Sequence, residues 1–435
     1  MSLLIKGGHV IDPANGIDEP NDIFIDDGKI LALDKKIDKG DGVEVIDAKG
    51  LCVIPGIVDI AARFREPGEE NKATIESESR AAAASGITTV CNLPDTDPII
   101  DTTAGVELIR QQSKRAGYCN VHVIAALTSS LKGEQLTSMA ELKEAGCVGL
   151  SNVHKPIAST LVLRRSFEYA SSHNLTVFFQ PIDHSLSDGG CVHEGEYSTR
   201  LGLSGIPRAA ETTSVAQILA LAQEVGVRVH FCRLSTMQSV NMIEWARYEG
   251  VKVTADVAAH QLFLTDADIT GFNTMCHTVP PLRTRDDKLR LIEGVESGVI
   301  DAVCSDHQPH NADAKYAPFP ASEPGISSLE TLLPLMMELS KQGAIGRIDA
   351  IRRLTDQPAK ILNINAGKLD KGMSADVCIF NPDTKWIFKK KEMHSAGNNS
   401  PFDDWEFSSK IVYTIFKGKV VYNKGKKSER FTPNQ

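Results

Sequence analysis

RVHFCRLSTMQSVNMIEWARYEGVKVTADV, residues 228–257, holds one full repeat of the pattern that decides the fold. Residues 228–234 and 252–257 are apolar runs of strand length, and MIEWARYEG (242–250) between them has helical spacing. A continuous apolar strand is buried on both faces, and a helix between two of them implies that they run parallel. The pattern extends in both directions. IVDIAA (57–62), TTVCNL (88–93), NVHVIAAL (120–127), CVGLS (147–151), LTVFFQ (175–180) and IDAVCS (300–305) bring the strand count to eight. Helical patterns such as TIESESRAAAASG (74–86) and SVAQILALAQEVG (214–226) lie between them. Eight such units predict an α/β fold with a closed (β/α)8 TIM-type barrel, and a doubly wound open sheet is the alternative.

Outside this region the pattern changes. LLIKGGHVID (3–12), DIFIDDGKILAL (22–33) and VEVIDAKGLCVIPG (43–56) alternate apolar residues with Gly, Asn and Asp, the mark of β-hairpins. ADVCIFNP (375–382), KIVYTIFKG (410–418) and KVVYNKGK (419–426) answer in kind, with a turn expected at Lys417-Gly418-Lys419. Residues 1–55 and 366–435 are therefore expected to build one small composite β-sandwich domain around a barrel of residues 56–365.

The 435 residues, 42% hydrophobic and 24% charged, have the composition of an ordinary globular protein able to bury a large core. A net charge of −9 argues against a general nucleic-acid binder, which needs a basic face. No apolar run approaches the roughly 20 residues of a membrane span, and no signal peptide is recognisable, so a cytoplasmic location is expected. The nine cysteines have no CxxC pairing, which suggests reduced, buried thiols and no structural zinc cluster.

In a barrel of this kind chemistry sits where strands end. Polar residues gather there: Arg63 and Arg65 after the first strand, Asp95 after the second, Asn152 to His154 after the fourth, Gln180 and Asp183 after the fifth, Arg233 after the sixth, and Asp306, His307 and His310 after the eighth.

PGIVDIAARFREPGEE (55–70), TTVCNLPDTDP (88–98), LGLSGIPRAAE (201–211), VPPLRTRDD (279–287), SDHQPH (305–310) and NNSPF (398–402) occur in an order that resembles the dihydroorotase family of metal-dependent cyclic amidohydrolases. The resemblance covers nearly the whole chain. It implies a zinc centre in active members, held by an HxH pair, paired aspartates after strand four, histidines after strands five and six, and an aspartate after strand eight. At those positions this chain has Ala61 and Arg63, Asn152 and Val153, Gln180, Arg233 and, retained, Asp306. Imidazole and carboxylate lend lone pairs to a metal, whereas guanidinium is protonated and has none to lend. Without a metal, water is not acidified and the usual nucleophile is missing, so Asp306, the retained acid/base position, is expected to be idle and no cofactor is expected. At the positions where active members hold the substrate carboxylate, Arg65 and His310 match, but an asparagine is replaced by Asp95, a carboxylate that would face a carboxylate; Val279 replaces a further asparagine.

The chain is most similar to degenerate members, pseudo-dihydroorotases, that lack the metal-binding histidines. That resemblance implies a non-catalytic role in pyrimidine biosynthesis as a structural partner of aspartate carbamoyltransferase, in a homo-dimer or hetero-oligomer, with no nucleic acid or membrane partner. One alternative is an active cyclic amidohydrolase with an unconventional site. Another is a metal-free binder of an acidic metabolite using Arg63, Arg65 and Arg233. Arg63 or Arg233 is expected to pair with Asp306 or Asp183, replacing lost cationic charge by bidentate bonding. Asp306, His307 and His310 with His154 or His230 form an alternative metal candidate, while His184 and His193 are expected on the surface. Residues 311–325 read as a long loop near the mouth.

Overall fold

Eight parallel strands, paired in chain order, form the barrel in the computed structural model, which describes residues 2–38 and 42–425. They are Ile57–Ala62, Ile87–Asn92, Asn120–Ala126, Gly149–Ser151, Thr176–Phe179, Arg228–Phe231, Val253–Ala258 and Ala302–Cys304. First and last strands meet: Ala62 bridges His307 in parallel, Arg63 N–H donates to the His307 carbonyl at 2.9 Å, and Ser305 N–H donates to the Asp59 carboxylate at 3.0 Å. This contact between the two end strands rules out the doubly wound sheet, whose edge strands stay apart.

The strands are largely apolar on both faces because each face meets a different core. Val121, Val123, Val177, Val229, Phe231, Val253 and Val303 point outward into the layer shared with the helices. Ile124, Ala126, Phe178, Cys232, Ala258, Ala302 and Cys304 point inward and fill the barrel axis. The helix of the deciding segment begins at Met237, five residues before its apolar spacing is evident, because the Thr236 hydroxyl accepts from Ser239 N–H and caps the first turn. All nine cysteines are free and buried.

The strands near the two ends of the chain join in one sheet. Cys52–Pro55 pairs antiparallel with Val377–Asn381 and lies parallel to Leu3–Asp12, so Ile5, Ile23, Val53, Val377, Ile379 and Ile415 share one core. Two tight hairpins brace this seam. Asp27-Gly28 and Lys417-Gly418 each place both residues at positive φ, the geometry that suits the twist of flanking strands. The turns are pressed together: a Cβ on Gly28 would lie 2.9 Å from the Lys417 carbonyl oxygen, and one on Gly418 would lie 2.6 Å from the Gly28 Cα. No helix among the described residues is long and apolar enough to cross a membrane.

Candidate functional site

At the mouth, the ends of four strands bring charged groups into a closed cluster. Arg63 Nε donates to Asp95 Oδ2 at 2.7 Å, and Arg63 Nη1 lies 3.6 Å from Asp306 Oδ1. Arg233 Nε lies 3.5 Å from the same Asp306 oxygen, while Arg233 Nη2 donates to Gln180 Oε1 at 3.0 Å. Gln308 Nε2 donates to Asp306 Oδ2 at 3.2 Å, and Gln180 Nε2 to the Val279 carbonyl at 3.2 Å. Arg233 and Asp306 are each 2% exposed, so their charges face each other with little water between.

Both arginines thus lie within reach of Asp306, although neither is bidentate to it; at 3.5 and 3.6 Å the attraction is Coulombic and not a hydrogen bond. Burial lifts the Asp306 carboxyl above its ordinary pKa in spite of Arg233 and Arg63. Burial also opposes the Asp95 carboxylate, yet Arg63 holds it below the ordinary range. Asp95 is therefore compensated from inside the protein by Arg63. Asp183 belongs elsewhere: it caps the short helix His184–Ser187.

Ala61 and Val153 join the apolar packing inside the barrel with Leu93 and Leu131, so methyl groups stand at two of the positions read as lost ligands. Asn152 turns away into its own loop. Its Oδ1 accepts from Thr128 Oγ1 at 2.6 Å, and its Nδ2 faces the carbonyls of Lys155, Leu131 and Pro156 at 3.2, 3.4 and 3.4 Å.

Arg65 and His310 form a second unit. Arg65 donates from Nε to the Pro309 carbonyl at 3.1 Å and from Nη1 to Glu69 at 3.1 Å, and its Nη2 faces His310. Burial and the Arg65 charge push the His310 pKa down to about 2, so the ring is neutral; its Nε2 lies 3.0 Å from both Arg65 Nη2 and the Pro324 carbonyl, and the tautomer decides which of the two it bonds. Arg63, Arg65 and Arg233 each have a carboxylate neighbour, which leaves little unopposed positive charge for an acidic metabolite.

A divalent centre needs several lone-pair donors converging on one point. Of the positions read as ligands, Asp306 alone retains a carboxylate; Gln180 Oε1 is occupied by Arg233, and two guanidinium groups flank Asp306. These residues do not fit a binuclear zinc centre. His307 is committed to Glu78 at 2.7 Å, both fully buried, and its Nδ1 accepts from Ser328 N–H, so it does not join Asp306 as a donor. His230, Cys232 and Asp256 do bring donor atoms within 4.8 Å of one another. However, His230 is already bonded through Nε2 to Asp256 and through Nδ1 to Thr254, both at 2.8 Å, and burial raises the Cys232 thiol pKa. This group reads as a buttress: Asp256 Oδ1 accepts the backbone N–H of Arg233 at 2.7 Å and fixes where that side chain starts.

Comparison with known proteins agrees with this architecture. A family model described as dihydro-orotase-like matches residues 50–239. A dihydroorotase-like protein from Pseudomonas aeruginosa is 42% identical over 422 residues, covering 97% of this chain and 100% of that protein. The chain belongs to the dihydroorotase-like family. Another relative of this dihydroorotase-like chain, a dihydroorotase from Geobacter sp. (strain M21), is 41% identical over 425 residues, with coverage of 98% and 100%. Among solved structures, the L-hydantoinase (dihydropyrimidinase) from Arthrobacter aurescens superposes with a TM-score of 0.88 at 23% identity, covering 98% of this chain and 97% of that one. A D-hydantoinase superposes with a TM-score of 0.84 at 20% identity, covering 97% and 95%. These two likenesses establish the shared barrel fold.

Within the dihydroorotase-like fold, several organising residues escape a reading of the strand ends. Asn399, from the C-terminal NNSPF segment, donates to the carbonyls of Gln308 and Gly325, both at 3.0 Å, and accepts from His310 N–H at 2.9 Å. Glu78 joins the first barrel helix to His307 and to Ser395. His193, expected on the surface, is 3% exposed and lies 3.0 Å from Arg283 Nη1; burial and Arg283 push its pKa down to about 4. The 311–325 segment is braced internally by Lys315 Nζ on the Glu323 carbonyl at 2.6 Å and is held from outside by Thr274 Oγ1 on the Lys315 carbonyl at 2.6 Å and by His277 on Ser322 at 2.8 Å.

Proposed function

We propose that this dihydroorotase-like chain is a non-catalytic member of its family that works in pyrimidine biosynthesis as a structural partner of aspartate carbamoyltransferase. The observation that carries the non-catalytic reading is the placement of Arg63 and Arg233 within 4 Å of Asp306, at positions where active relatives use imidazoles to hold metal. A general acid/base needs a free carboxylate and an activated water. Asp306 instead lies in a cluster of fixed positive charge. The partner is the one implied by resemblance to degenerate family members, and a folded barrel with internally neutralised charges at its mouth is compatible with a structural role.

The competing reading, a working dihydroorotase, draws support from relatives of about 40% identity that carry that name. Two measurements separate them. The purified chain is expected to hold well below one equivalent of zinc and to give no dihydroorotate turnover above background at concentrations where ordinary enzymes, with turnover of about 10 per second, are easily seen. Mixed with aspartate carbamoyltransferase from the same organism, it is expected to run as one joint species by native mass. Metal-dependent turnover would overturn the non-catalytic reading, and an aspartate carbamoyltransferase that assembles fully alone and ignores this chain would overturn the partnership.

A further inference from the structure

At the end of the barrel opposite the mouth, a concavity of about 810 Å3 opens where the helix Thr103–Ala116 and the start of the strand Asn120–Ala126 meet the hairpin turn at Lys417–Lys419. Its lining reverses the sign of the chain, whose net charge is −9. Arg110 and Lys114 come from the helix, and Lys417 and Lys419 from the turn. Glu107 is the acidic lining residue, and it is already engaged by Arg110 Nη1 at 3.3 Å and Gln111 Nε2 at 3.1 Å. Lys114, Lys417 and Lys419 are exposed, and among the described residues none of them lies in an ion pair with a carboxylate.

The helix dipole accounts for Lys114, because cations complement the carbonyl end of a helix. It does not account for Lys417 and Lys419, which reach the same space from the other domain. The two sets line the same concavity together with the half-buried His122, whose pKa is lowered by burial and then by the charges of Arg110 and Lys417. The volume lies within the range of small-molecule sites. The lining offers cations without an exposed aromatic platform for a base, since Phe416 is buried beneath Lys417.

We propose that this concavity is a binding site for a compact polyphosphate anion, clamped between Arg110 and Lys114 of the barrel and Lys417 and Lys419 of the small domain. A chain of phosphates suits it because separate negative groups can engage both banks at once, which a single phosphate cannot. The ligand would bridge the two domains away from the mouth, so the proposal stands apart from the reading of the mouth.

Calorimetry on the full chain with inorganic tripolyphosphate tests it. The expected result is saturable binding of one tripolyphosphate per chain, weakening as salt is added. Orthophosphate is expected to bind at least about tenfold more weakly, as is tripolyphosphate to a Lys114→Glu/Lys419→Glu double variant, since each reversal replaces an attraction by a repulsion. Both positions are exposed, so the melting temperature of that variant should match the parent. Lys390→Glu/Lys391→Glu, a charge reversal elsewhere on the surface, should leave affinity unchanged. Adenosine triphosphate binding comparable to tripolyphosphate supports recognition through the phosphates. The proposal fails if tripolyphosphate does not saturate at millimolar concentration, if orthophosphate binds as well, if the Lys114/Lys419 variant retains parental affinity, or if a polyglutamate peptide binds in place of polyphosphate.

Discussion

Arg233 Nε stands 3.5 Å from Asp306 Oδ1, with both side chains nearly sealed from solvent, at the barrel mouth where the resemblance to active dihydroorotases implies a metal. The pair exchanges one means of compensating a buried carboxylate for another. A bound cation can leave, whereas a guanidinium on the chain cannot, so on the non-catalytic reading proposed above the neutralisation is permanent. The backbone beneath keeps an uncommon geometry: Val153, Arg233 and Asp306 have φ of 53°, 54° and 48°, the left-handed region that β-branched and bulky residues rarely adopt.

Breaking this pair from either side is expected to destabilise the fold. Asp306→Asn leaves Arg233 with no carboxylate at its guanidinium, and Arg233→Met leaves Asp306 with Arg63 as its cationic neighbour and Gln308 as its hydrogen-bond donor. Each should lose about 3–5 kcal/mol in denaturant unfolding, the usual cost of stranding a buried charge. The double variant should lose distinctly less than the sum, by about 1 kcal/mol or more, because two uncharged groups strand nothing. Strict additivity would show that the two side chains do not sense each other.

Asn152 gives a test in the opposite direction. The resemblance to active dihydroorotases implies an aspartate at this position, but the amide nitrogen here faces three carbonyl oxygens. Asn152→Asp would turn a donor into a carboxylate against those oxygens, at a cost of roughly 3 kcal/mol at neutral pH. The new carboxyl should have a raised pKa, so its penalty shrinks as pH falls and the proton returns a donor. Melting temperatures of parent and variant should therefore lie further apart at pH 8 than at pH 5; a gap that does not change with pH would contradict this account.

These cases show what was legible in the chain and what was not. The barrel was legible because each strand carries its evidence locally, as an apolar run such as IVDIAA with a core on each face. The charge inventory of the mouth was legible too, since Arg63, Arg233 and Asp306 follow their strands directly. Pairings between distant segments were not. Asp95 reads as a repelling carboxylate until Arg63, 32 residues away, is seen to reach it. His307 reads as a free donor until Glu78, 229 residues earlier, takes its ring. His193 lies in a Ser- and Gly-rich stretch that looks exposed, and Arg283, 90 residues later, meets it in the interior. A sequence lists charges, but a fold assigns partners.

Asp59 is expected to tie stability to pH. It is fully buried, accepts from Ser305 N–H at 3.0 Å and pairs with the Ser305 hydroxyl; burial raises its pKa from 3.8 to about 7. A carboxyl whose pKa is higher folded than unfolded contributes most stability below the unfolded value, and that contribution is lost as pH rises through the folded value. The window runs from pH 4 to pH 7, and a shift of about three units corresponds to roughly 4 kcal/mol. Asp59→Asn keeps the shape and lacks the titration. The stability difference, parent minus Asp59→Asn, should fall across that window and level off above it; a difference that stays flat would mean Asp59 does not titrate there. Comparing parent with variant removes the opposing slopes of Asp95, Asp256 and Glu78, whose pKa values are lowered.

The same mouth should accept a metal once donors are returned to it. Val153, Arg233 and Asp306 already hold the left-handed backbone around this point. Arg233→His alone supplies one imidazole and leaves Arg63 beside Asp306, so zinc retention after dialysis should stay near that of the parent. Ala61→His, Arg63→His, Val153→Asp, Gln180→His and Arg233→His together remove both guanidinium charges and surround Asp306 with lone pairs, and this chain should retain at least about one zinc. Aspartate also tolerates positive φ better than valine, which favours the exchange at 153. Elemental analysis, with circular dichroism to establish folding, reads the outcome. A folded five-fold variant that holds no zinc would show that more than the lost donors separates this mouth from a metal centre, because carboxylate and imidazoles would then be present without converging.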